Sequence, residues 1–201
     1  MTKNNNVIRM VIGVILLIVL VTGATYAWFT WKSANVSISG TTGCFDILYD
    51  KGEDIGTVDS PYGLGHSCNY NEGSASAEVT MSIDSKCNTT GVASINLKTT
   101  AFTLYDGSNA FDRDDEVLKY QVVKIGTETI DGVETTTETP IEGCAGYITS
   151  SSNTSLCEVN LNHTATKYKV YLYLDCNTVT TSYIGSTYSG YIQTVATQTI
   201  E

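Results

Sequence analysis

Two histidines, six cysteines and one acidic loop are the groupings in this 201-residue chain whose residue types and spacing could do chemistry. Hydrolysis needs a nucleophile, a base beside it and an acid that orients the base. His66 is followed by Ser-Cys-Asn and His163 by Thr-Ala-Thr, so neither opens a His-Glu-x-x-His zinc motif. No Gly-x-Ser-x-Gly nucleophile elbow occurs. Both histidines read as surface residues, no catalytic residue is assigned, and the chain reads as a non-enzyme.

The acidic loop, residues 105–116 (YDGSNAFDRDDE), gathers Asp106, Asn109, Asp112, Asp114, Asp115 and Glu116. These are the hard oxygen donors that calcium prefers, which makes calcium the one cofactor to test for. The spacing departs from the EF-hand pattern of alternate acids, a glycine and a closing bidentate glutamate. A solvated charged turn is the competing reading.

Cys44, Cys68, Cys87, Cys144, Cys157 and Cys176 all lie beyond the apolar start of the chain. An even number of cysteines in an exported chain reads as a disulfide framework. No Cys-x-x-Cys pair occurs, which argues against a zinc ribbon or a thioredoxin-like site. Spacing does not fix the connectivity. The expected pairs are Cys144 with Cys157 as a local staple, Cys87 with Cys176 at the ends of two strand-like runs, and Cys44 with Cys68.

Export is inferred from the amino terminus. A polar head with Lys3 and Arg9 precedes an apolar run at 10–21, then small residues and the aromatic cluster Tyr26, Trp28, Phe29 and Trp31. That order matches a signal peptide, with Thr25-Tyr26-Ala27 placing a small residue before a cut between Ala27 and Trp28. The alternative is a retained anchor, because residues 10–29 supply the roughly 20 residues that cross a bilayer. In either case the positive charges precede the apolar run, so the remainder faces outward. A single hydrophobic helix at 1–27, signal or anchor, is therefore expected before an extracellular domain at 28–201.

The formal charge of −10 becomes −12 on cleavage, since the lost piece carries Lys3 and Arg9 and no acid. Such a surface repels phosphate backbones, and no basic patch with interleaved aromatics offsets it, so nucleic acid is excluded as a partner. A wall-sorting tail would show a second apolar run followed by positive charges, whereas this sequence reads Gln198-Thr199-Ile200-Glu201, so surface attachment is expected from the amino-terminal segment or from assembly. The four Asn-x-Ser/Thr sequons, at Asn35, Asn88, Asn153 and Asn162, carry little weight in a Ser/Thr-rich chain.

The positioning elements read as strands. Residues 34–39 (ANVSIS) and 44–50 (CFDILYD) form two short ones, and residues 51–73, without a period, form a loop. Residues 77–83 alternate with Val79, Met81 and Ile83 on one face. Residues 92–105 run to a hairpin signal at Asp106-Gly107. A strand at 117–130 is followed by a second such signal, Asp131-Gly132, between polar arms, which reads as a ribbon projecting from the body. Residues 156–161, 168–174 and 189–199 complete the set. Strands without intervening amphipathic helices give an all-β chain, an antiparallel β-sandwich of jelly-roll or immunoglobulin-like type.

Residues 23–30 (GATYAWFT) resemble the G-x-T-[aromatic]-A-[aromatic]-F-[Ser/Thr/Asn] signature at the cleavage site of the TasA/camelysin family. The polar strand reaching Gly40, the hydrophobic strand after it, and a last strand closing on Ala196-Thr197-Gln198 are similar to that family too. The resemblance implies export with a SipW-type signal peptidase, a jelly-roll domain, and assembly with like subunits into extracellular fibres of a Gram-positive biofilm matrix. It further implies that residues 28–40 act as a donor strand, with Trp28, Phe29, Val36 and Ile38 engaging the neighbouring subunit. Edge-strand physics agrees, because an unpaired edge recruits a strand through main-chain hydrogen bonds. Some relatives are described as metalloproteases, but no zinc motif is present to carry that activity over. The leading expectation is a non-enzymatic fibre or matrix subunit; a membrane-anchored adhesin or ligand-binding domain is the alternative, and a camelysin-like protease the third.

Overall fold

The computed structural model describes residues 36–39, 47–72, 74–113, 115–130, 132–150 and 153–199. The expected signal or anchor helix, with Ala27, Trp28 and Phe29, lies outside the described residues, as do Cys44 and Asp114. Among the described residues no helix is long and apolar enough to cross a membrane.

Among the described residues eleven strands follow one another: β1 (Val36–Ser39), β2 (Ile47–Lys51), β3 (Tyr62–Gly63), β4 (His66–Ser67), β5 (Ala75–Ile83), β6 (Thr90–Thr103), β7 (Leu118–Ile130), β8 (Val133–Tyr147), β9 (Asn153–Leu161), β10 (Thr166–Asp175) and β11 (Thr187–Thr199). They form two sheets, ordered β1-β11-β6-β9 and β2-β5-β10-β7-β8; β3 adds to β11 and β4 to β10. All pairings are antiparallel except β1 with β11 and β4 with β10.

The sheets face each other because one side of each strand is apolar. Ala93, Ile95, Leu97, Leu156, Val159, Leu161, Tyr188 and Ile192 from the first sheet meet Val79, Met81, Ile83, Leu118, Val122, Val170, Leu172 and Leu174 from the second in one buried cluster. Period-two alternation puts these residues on a common face, and their burial is the main force holding the sheets together. The all-β sandwich expected from the sequence is thus present, although several strands run to 13–15 residues rather than being short.

Strand β10 is buried on both faces. Val170, Leu172 and Leu174 point into the core, while Tyr171, Tyr173 and Asp175 on the opposite face are also buried. Tyr70 packs its ring on Tyr171 at 5.3 Å, and Lys169 lies over the same ring at 4.7 Å. The Tyr171 hydroxyl donates to Glu138 Oε1 at 2.6 Å. A strand reading YKVYLYLD therefore sits at the centre of its sheet, where both faces need apolar or well-paired side chains.

Two disulfides are described. Cys144 and Cys157 are the expected staple, and they join the edge strands of opposite sheets, β8 and β9, with Cα atoms 5.0 Å apart. Each strand is bulged there. The β7–β8 register jumps between Gln121 and Val123, with Gly143 at φ +74°, and the β6–β9 register jumps between Ile95 and Asn96. Bulges at sheet edges re-aim side chains, here bringing the two cysteines together across the seam.

The other two expected pairings, Cys87 with Cys176 and Cys44 with Cys68, are corrected: Cys68 is bonded to Cys176, 108 residues away. The reason is β4, which runs parallel to the end of β10 with Ser67 opposite Asp175, so the next residue of each strand is a cysteine. Cys87 is also disulfide-bonded, and its partner lies outside the described residues.

The expected ribbon is present. β7 leaves β10 after Ile125 and continues paired only with β8, from Gly126 opposite Thr137 to Ile130 opposite Val133. Thr127–Thr129 and Val133–Thr136 are exposed, because these arms are mostly Thr and Glu, and Val133 itself is 64% exposed.

Candidate assembly edge at strand β11

β11 (TYSGYIQTVATQT) pairs along one side with β6 over its whole length, from Thr187 opposite Thr103 to Thr199 opposite Thr90. Its other side is covered in pieces. Leu64 N donates to Ser186 O at 3.0 Å, and β3 pairs Tyr62 with Tyr188 and Gly63 with Thr187. Ile55 and Gly190 then exchange two main-chain hydrogen bonds, of 2.9 and 3.0 Å. Beyond them β1 pairs in parallel, with Val36 opposite Thr194, Ser37 opposite Val195, Ile38 opposite Ala196 and Ser39 opposite Thr197. Of the donor-strand residues expected from the sequence, Val36 and Ile38 therefore lie at this edge by their backbone register.

Residues 52–67 form a strap that crosses the end of the sandwich. It leaves β2 in the second sheet, touches β11 in the first through Ile55 and β3, and returns to β10 through β4. Gly56 makes the turn possible: its φ is +66°, and a Cβ there would fall 2.5 Å from Tyr62 N and 2.6 Å from Tyr188 O. Only Ile55 and Leu64 bury large apolar side chains on the strap, while Val58 and Tyr62 are exposed.

Beneath the β1 seat lies an unsatisfied polar pair. Thr194 is fully buried, and Tyr49, from edge strand β2 of the facing sheet, brings its hydroxyl beside it. Neither hydroxyl reaches hydrogen-bond geometry with any partner among the described residues. Burial pushes the Tyr49 phenol up, and the loose contact with the Thr194 hydroxyl, short of hydrogen-bond geometry, works against that rise. At the other end of β11 the polar groups are paired: Tyr188 and Thr99 share a buried hydrogen bond of 2.9 Å, and burial holds the Tyr188 phenol protonated far above its ordinary range.

A polar knot holds the strap's far end. Asp175, almost fully buried, accepts from the Tyr147 hydroxyl at 2.6 Å, from Lys119 Nζ at 3.3 Å, and from Asn177 N and Nδ2 at 3.2 and 3.1 Å. The Tyr147 hydrogen bond is the main reason its carboxyl is held down at about 2, against desolvation, which opposes the shift. Cys176 follows directly and carries the bond to Cys68.

The acidic loop does not converge on a point. Asp106 Oδ1 accepts from Ser108 N and Oγ, Asp112 accepts from Asn109 Nδ2, and Asp115 accepts from the Tyr183 hydroxyl at 2.9 Å. Burial first, and the Asp115 contact second, push the Tyr183 phenol up to about 12. Glu116 contributes its carbonyl to Thr178. Among the described residues no three His, Cys, Asp or Glu side chains are grouped to hold a metal. His66 is exposed on β4, and His163 Nε2 lies 2.6 Å from the Cys87 carbonyl.

Sequence reasoning missed the Asp175 knot and the Tyr49–Thr194 pair. The one visible signal was the terminal Asp of YKVYLYLD, an acid closing a strand apolar on both faces. What this edge offers is main-chain hydrogen bonding to an extended segment, not bond-making chemistry. Comparison with family models, curated proteins and solved structures gives no match.

Proposed function

We propose that this chain is a non-enzymatic structural subunit of a bacterial cell-surface fibre or biofilm matrix, with a domain of jelly-roll or immunoglobulin-like type, exported across the cytoplasmic membrane and assembled by donor-strand pairing. The observation that carries the reading is the β1 seat. Four residues from the expected donor segment occupy the outer edge of β11, in parallel and beyond a strap that covers Thr187, Tyr188 and Gly190 of the same edge. Parallel pairs are less stable per residue than antiparallel ones, and so short a strand contributes few hydrogen bonds. A strand held this lightly in its own subunit can exchange for the same segment of a neighbour, as in domain swapping. Three disulfide-bonded sites, at Cys68–Cys176, Cys144–Cys157 and Cys87, suit an oxidising exterior.

The test has two parts. The mass of the native amino terminus decides whether residues 28–40 are released: a start at Trp28 favours the fibre, an intact Met1 the membrane-anchored adhesin. The purified mature domain is then followed by electron microscopy and light scattering, and persistence as a monomer across salt and pH sinks the fibre reading. Cleavage of casein that a chelator abolishes would turn the assignment toward a protease instead.

A further inference from the structure

We propose that the Cys68–Cys176 disulfide is a thiol-operated clasp: it holds the strap at 52–67 over the amino-terminal half of the β11 edge, and its reduction uncovers that half. The inference rests on the reading of β11 as the assembly edge and adds a control to it.

Three observations carry it. The first is accessibility. Cys68 is exposed and Cys176 half-buried, whereas Cys144, Cys157 and Cys87 are all buried in the core. Exposed disulfides are the labile ones, because exchange requires in-line attack of a thiolate on one sulfur.

The second is placement. The bond sits where the strap ends on β10, one residue past Ser67–Asp175 in the register, so it fixes the strap after the strap has crossed β11. Upstream, the strap is held by the Gly52 N bond to Glu78 O, the Ile55–Gly190 bridge, the Ser189 Oγ bond to Thr57 O at 2.8 Å, the two-residue β3, the Leu64 N bond to Ser186 O, the two-residue β4 on β10 and the burial of Ile55 and Leu64. That is a small set of contacts for some sixteen residues of chain, and local opening draws on segments with few buried apolar contacts.

The third is what lies underneath. The strap and β1 together tile one edge of β11: the strap covers Thr187, Tyr188 and Gly190, and β1 covers Thr194 to Thr197. With the strap released, Thr187 to Gly190 become available beside the β1 seat, so a segment that displaces β1 can pair along most of β11, enough for a strand of ordinary length. The sandwich keeps its sheet-to-sheet staple at Cys144–Cys157, on the opposite side.

The chemistry balances with a small dithiol as reductant. Its thiolate attacks one sulfur of the exposed bond and expels the other as a thiolate. The second thiol of the reductant then closes on the mixed disulfide, leaving two cysteine thiols and one oxidised reductant, with two electrons transferred.

The experiment treats the oxidised, full-length mature protein with a dithiol at neutral pH under native conditions, traps free thiols by alkylation for mass spectrometry, and follows amide hydrogen exchange in parallel. Cys68 and Cys176 are labelled before the other cysteines. Protection is lost in residues 55–67, in 187–190 and at Leu174 and Cys176, whose N–H groups donate to Gly65 O and Ser67 O, while β6 and the rest of β10 keep theirs, and fibre elongation speeds up. Leu64→Ala, which loosens the strap with the disulfide intact, produces the same exchange pattern in part without reductant. The proposal is overturned if all cysteines become labelled together as near-ultraviolet circular dichroism collapses, if the strap stays protected once Cys68 and Cys176 are alkylated, or if fibres form at the same rate in both redox states. If the strap opens but neither state forms fibres, the assembly reading fails while the clasp stands.

Discussion

Val36 lies opposite Thr194 in a parallel pairing at the outer edge of β11, and the Thr194 hydroxyl beneath it is buried without a hydrogen-bond partner among the described residues. The seat thus combines short main-chain pairing with a buried polar group left unpaired, two features that lower the cost of strand exchange.

Replacing the unpaired hydroxyl should stabilise the isolated subunit. An unsatisfied buried polar group costs about 1–3 kcal/mol, and valine has nearly the shape of threonine. Thr194→Val is therefore expected to raise the urea midpoint at unchanged slope, by roughly 1 kcal/mol. Tyr49→Phe should act in the same direction. A loss of stability in both variants would show that the two hydroxyls satisfy each other, and the double variant would then display coupling.

Asp175 gives the fold an acid-sensitive contribution. Its folded carboxyl titrates near 2, below the ordinary 3.8, so it stabilises the fold above the ordinary value and loses that contribution as pH falls from about 4 toward 2. The shift corresponds to about 2 kcal/mol. Asp175→Asn should flatten stability against pH over that window, and Tyr147→Phe, which removes the main cause of the shift, should do so in part. Equal pH slopes in the wild type and Asp175→Asn would refute this assignment.

The seam staple should matter for stability in proportion to its short loop. Replacing Cys144 and Cys157 together by serine removes a constraint across 13 residues, worth about 3 kcal/mol. Thermal unfolding should then begin at the β8–β9 edge, which hydrogen exchange in 141–147 and 153–159 reads directly.

The projecting ribbon should be dispensable for the fold. Replacing residues 127–136 by a two-residue Asn-Gly turn removes pairs whose described side chains are all exposed, and is expected to change stability by less than about 0.5 kcal/mol. A drop beyond about 2 kcal/mol would mean that the ribbon packs on the body.

Much of this architecture was legible in the sequence, because strands buried on one face write their burial as alternation. Val79, Met81 and Ile83 do so, and the expected runs at 92–105, 117–130 and 189–199 correspond to β6, β7 and β11. The polar arms around Asp131-Gly132 gave away the ribbon for the opposite reason. What stayed hidden was set by tertiary contact. β3 and β4 are two residues each, too short to carry a period, so the strap read as loop and the partner of Cys68 was misassigned. The Asp175 knot joins residues 28 and 56 positions apart, from β8 and β7, which no local pattern encodes. Within the acidic loop Asp106, Asp112 and Asp115 turn to separate partners, which their closeness in sequence does not reveal.

Strand exchange at the β11 edge is tested most directly by cross-linking between subunits. Ser37 and Val195 are register partners, so one batch of chains carries Ser37→Cys and another Val195→Cys, and the two are mixed before assembly. Donor-strand pairing predicts a disulfide joining one chain of each kind, formed as fibres grow and absent from either batch alone. Fibres that form from the mixture under oxidising conditions without that bond would contradict it.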